Sequence, residues 1–341
     1  PEGAVVVDAA QRSAAGGKRL RALLCVAATR ACSADTTASA TAGATSEDSG
    51  AILGAAAALE LFQAAALVHD DLMDDSDTRR GAPSTHRYLE AEAYPGTDDL
   101  ASRERFGASA ALLVGDLLLT MSATALHRAV AGLPAQTSTR ALATYSAMAT
   151  EVAVGQYLDL FASHAPWDAN GEADLERAFR VIAAKTTRYS VELPLQLGGI
   201  LVQADDESLT WLSRLGRDVG TAFQLRDDLL GVFGDPEVTG KPAGDDLREG
   251  KRTVLVALAY RSATESQRAL LRRDLGRSDL TQSEVGALRE LLVTTGALAD
   301  VERRIQELSA SAKVTLATPP SGTGDLALLT RLVDAAITRT A

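Results

Sequence analysis

Only two cysteines, Cys25 and Cys32, occur in the 341 residues, and neither stands in a metal-ligand spacing with any of the four histidines. A disulfide framework is excluded, and a reducing, cytoplasmic setting is expected. Basic runs are missing as well: Lys plus Arg number 34 against 45 for Asp plus Glu, a net charge of -11, so nucleic acid is not an expected partner. Strand patterns are nearly absent, since VVV (5–7) and VLVALAY (254–260) are short and the second runs on into helical composition. The opening PEGAVVVDAA has no basic start followed by a long apolar stretch, so no signal peptide is expected, and the missing Met implies a trimmed or partial start. Two segments are apolar enough to test as membrane spans, but Glu60 and Gln63 interrupt Ala51–Val68 and Asp116 sits near the middle of Ala108–Leu126. A central carboxylate costs about 2.5 to 3.5 kcal/mol in a bilayer, so both are read as core helices and no membrane span is expected.

What is present is 46% hydrophobic residues with 23% charged, the composition of a soluble globular protein. The length passes the roughly 250 to 300 residues at which single cores stop growing, which leaves two domains or one large helical unit. Apolar residues at three- and four-residue spacing, as in 175–185 and 287–308, read as helices, so the class is all-α. Breaks fall at 33–50, 94–105, 164–173, 234–246 and 317–325. The first is a low-complexity Ser/Thr/Ala loop, and helices of similar character flank every break. One all-helical domain over residues 1–341 is therefore expected.

Chemistry concentrates at DDLMDD (70–75), directly after the apolar run ending ALVH, with Asp77 following. On a helix Asp70 and Asp74 lie one turn apart, as do Asp71 and Asp75. Like charges this close repel, and the macrodipole opposes them at a helix C-terminus. Hard divalent cations with oxygen ligands relieve that repulsion, and Mg²⁺ shares substrate phosphate in doing so. A second pair, Asp227 and Asp228, ends another apolar run, GTAFQLRDDLL. If the two helices face each other, the pairs form opposed walls of a polar pocket within a bundle. Cations accompany them: Lys18, Arg19 and Arg21 in GGKRLR, Arg79 and Arg80 in RRG, Lys185, Lys241 and Lys251. Acids and cations together imply an anionic, oxygen-rich substrate.

GGKRLR, LVHDDLMDDSDTRRGAPSTHR, GQYLD (155–159), KTT (185–187), GTAFQLRDDLL and GKPAGDDLREGKRT resemble, in order, the signature blocks of the trans-isoprenyl diphosphate synthases, the polyprenyl synthetase family. That resemblance implies an antiparallel helix bundle around a deep cavity, generally a homodimer, joining isopentenyl diphosphate head to tail onto an allylic diphosphate. Position by position, it implies that Asp70 and Asp74 ligate two Mg²⁺ ions and Asp227 a third, with Asp71 and Asp228 auxiliary. Arg79, Lys185 and Lys241 match contacts to the allylic diphosphate, with Lys251 more peripheral. Lys18, Arg21, Arg80 and Gln63 match the isopentenyl diphosphate pocket. Thr186 and Gln224 match positions facing the allylic carbon and its cation, and Gln156 and Asp159 stand behind them.

Three departures stand out. Gly231 replaces the usual Asp at the fifth position of the second acidic motif, with Asp235 one further turn on; Ala22 replaces a common Pro; and TRTA lacks a basic tail. Ala65 and Ala66, five and four residues before Asp70, match the positions where aromatics stop growth at fifteen carbons, and here both are small. Phe62 shares a face with Ala66 about 5.4 Å deeper, which implies a stop at twenty carbons, the product of a geranylgeranyl diphosphate synthase. A fifteen-carbon or longer-chain product, or a non-catalytic subunit of a heteromeric synthase, are the alternatives. Terpene cyclisation fits less well, because DDLLGVFGD lacks the cyclases' second metal motif and aromatic residues are only 4% of the chain.

Overall fold

The computed structural model describes residues 2–33, 46–92, 99–235 and 244–337. Lys241 and most of the expected 33–50 loop lie outside them, while Ser46–Gly50 belongs to a helix. Apart from one two-residue hairpin, the regular structure among the described residues is helical, as the spacing of apolar residues requires. The chain divides into two compact units, residues 1–26 with 36–142 and residues 27–35 with 143–341, with boundaries inside two helices.

The first unit holds α1 (Glu2–Ala14), the start of α2 (Leu20–Cys32), α3 (Ser46–Met73), strands β1 (Thr78–Arg79) and β2 (Ala82–Pro83), α4 (Thr85–Glu92), α5 (Leu100–Val130) and the start of α6 (Ala135–His164). By length and composition α3 and α5 could each cross a membrane, but they pack against each other. Small residues allow the approach: a Cβ on Gly54 would come within 2.7 Å of the Ala129 Cβ, and Ser122 Oγ donates to the Ala58 carbonyl at 2.6 Å. Ala64, Ala65, Val68, Ala111, Val114 and Leu118 form the buried seam, joined by Ala9 and Ala10 of α1. Leu112, Leu113, Leu117 and Met121 of α5 stay exposed.

The second unit takes the rest of α6, then α7 (Glu172–Val181), a π-helix (Ile182–Glu192), α8 (Leu193–Leu201), α9 (Asp206–Phe233), α10 (Asp245–Glu249), α11 (Val254–Ser262), α12 (Glu265–Asp274), α13 (Gln282–Thr294), α14 (Ala297–Ala317) and α15 (Ala327–Ile337). Starts follow side-chain chemistry: Asp205, Thr253, Thr264 and Thr281 each cap a first turn, the last two in reciprocal capping boxes with Gln267 and Glu284. The 287–308 run is broken between α13 and α14 by Gly296, at φ +81. Its buried core joins Leu225, Leu229 and Val232 of α9 to most of α11 and to Leu288, Val301 and Ile305.

The helical spacing of 175–185 carries no sign that its second half widens to π geometry. Glycines on both sides clasp that segment. A Cβ on Gly155 of α6 would meet the Lys185 nitrogen at 2.5 Å, one on Gly216 the Glu192 Cα at 2.6 Å, and one on Gly220 the Thr187 Cα at 2.8 Å. Because the obstructing atoms are backbone, a methyl group here must move a helix. Gly220→Ala is expected to destabilise the protein by about 1 to 3 kcal/mol, read as a lower urea midpoint at unchanged slope; an unchanged midpoint would contradict the clasp.

Candidate active site

In the first unit the acidic run lies at the end of α3. The Asp74 N–H bonds the Asp70 carbonyl at 2.9 Å, so helical spacing persists through Asp74. Asp75 then turns left-handed at φ +49, and the Ser76 N–H closes on the Asp71 carbonyl at 2.9 Å. The carboxylates sort by partner. Asp77 and Asp75 pair with Arg87 of α4 at 2.8 and 3.1 Å. Asp71, 3% exposed, accepts from Arg79 Nε at 2.8 Å and more closely from its Nη2, while Asp70 Oδ2 lies 4.0 Å from that nitrogen. Asp70 and Asp74 remain partly exposed, one turn apart. Burial pulls the Arg79 pKa down, but the Asp71 hydrogen bonds and the charges of Asp71, Asp70 and Asp74 outweigh it and leave the pKa raised.

The hairpin that presents both arginines pairs Arg79 with Ala82, and its central residues Arg80 and Gly81 take φ +55 and +75, the signs of a type I′ turn. Neither strand reaches a length that alternation in sequence reveals. Arg80 Nη1 donates to the Ala15 carbonyl at 2.6 Å, and its guanidinium lies so close over Gly17 that a Cβ there would fall 2.7 Å from Nη2. The GGKR turn is tied back to α3 by Glu60, which accepts from Arg19 at 3.4 Å and from the Ala22 N–H at 3.2 Å. Burial, then the charges of Arg19 and Arg79, lower the Arg80 pKa. Such crowding of cations fits an anionic ligand. Lys18 is exposed, and Arg21 and Gln63 are partly buried. Along α3, Phe62 is 4% exposed, Ala65 is fully buried in the seam with α5, and Ala66 is partly exposed.

In the second unit the π-helix carries Lys185, whose Nζ donates to Asp159 Oδ2 at 2.6 Å. Thr186 beside it is partly exposed, and the Thr187 hydroxyl meets that of Thr221 on α9 at 3.2 Å. One turn along α9, Gln224 Nε2 donates to Asp228 Oδ1 at 2.6 Å. Asp228 is 5% exposed, and burial, followed by the charges of Asp246, Asp227 and Asp159, raises its pKa well above the carboxylate range. Lys251 pairs closely with Glu249 and lies 4.0 Å from Asp246. Asp235, read as one further turn along α9, instead lies exposed beyond its end at Phe233. The position of Asp246 beside Gly231 had no sequence signal, since it depends on how α10 packs.

These donors fit Mg²⁺. They are hard carboxylate oxygens whose mutual repulsion is felt at Asp228. Among the described residues no three acidic, His or Cys side chains cage a cation by themselves. A cation held here would need further oxygen ligands, such as those of an anionic substrate or water.

The same arrangement of helices occurs in known proteins. The structure aligns with a geranylgeranyl pyrophosphate synthase from Corynebacterium glutamicum, solved with isoprenyl diphosphate and magnesium, at a TM-score of 0.84 and 37% identity, covering 98% of this chain and 90% of that one. The fold is that of the all-α isoprenoid synthases. The profile of the polyprenyl synthetase family matches residues 4–292, and the chain belongs to that family. It is a trans-prenyltransferase. A geranylgeranyl diphosphate synthase of Saccharolobus solfataricus is 30% identical over 278 residues, 82% of this chain and 73% of that protein. A geranylfarnesyl diphosphate synthase of Aeropyrum pernix is also 30% identical, over 295 residues, 85% of this chain and 80% of that one. Likeness alone thus leaves the product length open.

The pairing of Arg79 with buried Asp71 has a measurable consequence. Arg79→Ala leaves that carboxylate without its guanidinium, so the protein should lose about 3 kcal/mol in urea unfolding without added metal. Arg79→Ala together with Asp71→Asn should recover part of that loss; equal stability of the two variants would contradict the pairing.

Proposed function

We propose that the protein is a Mg²⁺-dependent synthase that condenses isopentenyl diphosphate head to tail with an allylic diphosphate to give an all-trans product of twenty carbons. The carrying observation is that each acidic motif has cations held within its own unit: Arg79 on Asp71 and 4.0 Å from Asp70 in the first, Lys185 on Asp159 and Lys251 4.0 Å from Asp246 in the second. In this reading residues 1–341 work as one catalytic domain in the cytoplasm, as a homodimer. The apolar stripe Leu113, Leu117 and Met121, exposed along α5, supports burial against a second copy.

Asp70 and Asp74 are assigned to two Mg²⁺ ions and Asp227 to a third, with Asp71 and Asp228 in support. When bound, Mg²⁺ supplies positive charge to diphosphate oxygens as they become more negative. Arg79, Lys185 and Lys241 do the same from the protein side, with Lys251 further out. Because Asp71 and Asp159 hold Arg79 and Lys185 in place, these cations meet the leaving group with little reorganisation. Ionisation of the allylic C–O bond leaves a carbocation, and Thr186 and Gln224 are assigned to face it. With the Gln224 amide nitrogen donating to Asp228, its carbonyl oxygen is the atom left to face positive charge. Lys18, Arg21, Arg80 and Gln63 orient isopentenyl diphosphate so that its double bond attacks that carbon, and the released diphosphate takes the proton. No protein nucleophile enters, and exclusion of water protects the cation.

Purified protein with Mg²⁺, an allylic diphosphate and labelled isopentenyl diphosphate should form a prenyl diphosphate unaided. An inactive chain would favour a partner subunit, and a cyclic product a cyclase. Asp70→Asn or Asp74→Asn should lower turnover at least about a hundredfold with the fold intact; near-normal turnover in saturating Mg²⁺ would remove the metal assignment.

Phe62 is proposed as the floor of the product tail. Ala66→Phe should shorten the main product to fifteen carbons, and Phe62→Ala should extend it to twenty-five or more while costing about 3 to 5 kcal/mol of stability. If both variants give the parent's product ladder, another helix sets the length.

A further inference from the structure

Arg19 belongs to the GGKRLR block, yet no task in the proposed reaction falls to it. Its backbone is left-handed at φ +52, directly after Gly16 and Gly17 at +68 and +81 and exposed Lys18. An arginine adopts that conformation only when its surroundings impose it. The guanidinium is engaged within the protein: Nη2 donates to the Ala14 carbonyl at 2.7 Å and Nη1 to Glu60 Oε2 at 3.4 Å.

Arg19 also stands at the N-cap of α2, since its carbonyl accepts from the Leu23 N–H at 2.9 Å. An N-cap side chain ordinarily accepts from an N–H of the helix's second or third residue, and a guanidinium, which has no acceptor, cannot do so. The third residue is Ala22, and the first turn of α2 holds no acid. The acceptor comes from α3 instead: Glu60 Oε1 takes the Ala22 N–H at 3.2 Å while its other oxygen takes Arg19. One carboxylate thus caps α2 and holds the cap residue in its turn. Ala22 stands where Pro is common, and Pro has no N–H to donate, so half of this tie exists because of Ala22. The tied residues Arg19 and Ala22 directly adjoin Lys18 and Arg21. Burial and the charges of Arg19 and Arg79 lower the Arg80 pKa, and Glu60 is the first charge that opposes them, which places it in the same neighbourhood.

We propose that Glu60 is a positioning residue for isopentenyl diphosphate: by capping α2 in place of Arg19, and by holding Arg19 in its turn, it fixes the backbone that carries Lys18 and Arg21. The proposal rests on the reading of those two residues as contacts to that substrate, and the experiment separates the two.

Steady-state kinetics of the full chain with Mg²⁺ are measured against each substrate in turn. Glu60→Ala should raise KM for isopentenyl diphosphate about tenfold while KM for the allylic diphosphate stays within about twofold of the parent's. A bond that served stability alone would lower the folded fraction, and with it kcat, without moving either KM. Adding Ala22→Pro to Glu60→Ala removes the uncapped N–H and restricts the turn, so KM for isopentenyl diphosphate should return to within about threefold of the parent's. An unchanged KM for isopentenyl diphosphate in Glu60→Ala overturns the proposal, as do equal rises for both substrates or a folded double variant that recovers nothing. Should circular dichroism show either variant unfolded, Glu60→Asp, which withdraws both oxygens by one methylene, decides by the same split between substrates. Arg21→Ala is the control: if it leaves KM for isopentenyl diphosphate unchanged, the reading of this loop as that substrate's site fails.

Discussion

Repulsion among carboxylates is the constraint around which the second unit is built. Asp228 is buried, Asp227, Asp246 and Asp159 all act on it, and the Gln224 amide donates to it. Burial alone would favour a neutral acid, and each nearby negative charge pushes the same way. A helical protein chosen for stability alone would place apolar residues here, as it does on the same helix at Leu225 and Leu229. Concentrated negative charge in a well-packed scaffold makes physical sense when a cation is brought with the substrate.

The packing around that charge serves to hold backbone at short range. Gly155, Gly216 and Gly220 let α6 and α9 approach the π-helix, whose wider turn carries Lys185 and Thr186. In the first unit the hairpin does comparable work at lower cost in residues. Its left-handed Arg80 and Gly81 reverse the chain at once, so Arg79 returns to Asp71 at the end of α3 while Arg80 reaches the loop after α1. Positive φ at an arginine is a strained choice, and it sits where two adjacent side chains must serve different partners.

Much of this was legible in sequence because it is local. The i, i+4 spacing of Asp70 and Asp74, the apolar periodicity of α3, α5 and α9, and the Gly-rich turn before Lys18 each depend on residues a few positions apart. The structure added what depends on distant residues. That Arg87 takes up Asp75 and Asp77, and so separates them from Asp70 and Asp74, requires α4 to fold back on the hairpin. The π-helix has the composition of an α-helix, and the glycines that require it to be so close lie about thirty residues away on either side. Gly231 reads in sequence as the absence of one carboxylate, and only the structure shows that the Asp246 side chain of α10 lies against it.

The central claim is that both acidic motifs exist to bind cations together with diphosphate. Anomalous diffraction from crystals grown with Mn²⁺ and inorganic diphosphate tests it most directly. The account predicts anomalous peaks within coordination distance of Asp70 and Asp74 and a further peak at Asp227. Ordered diphosphate with no peak at either motif would contradict it.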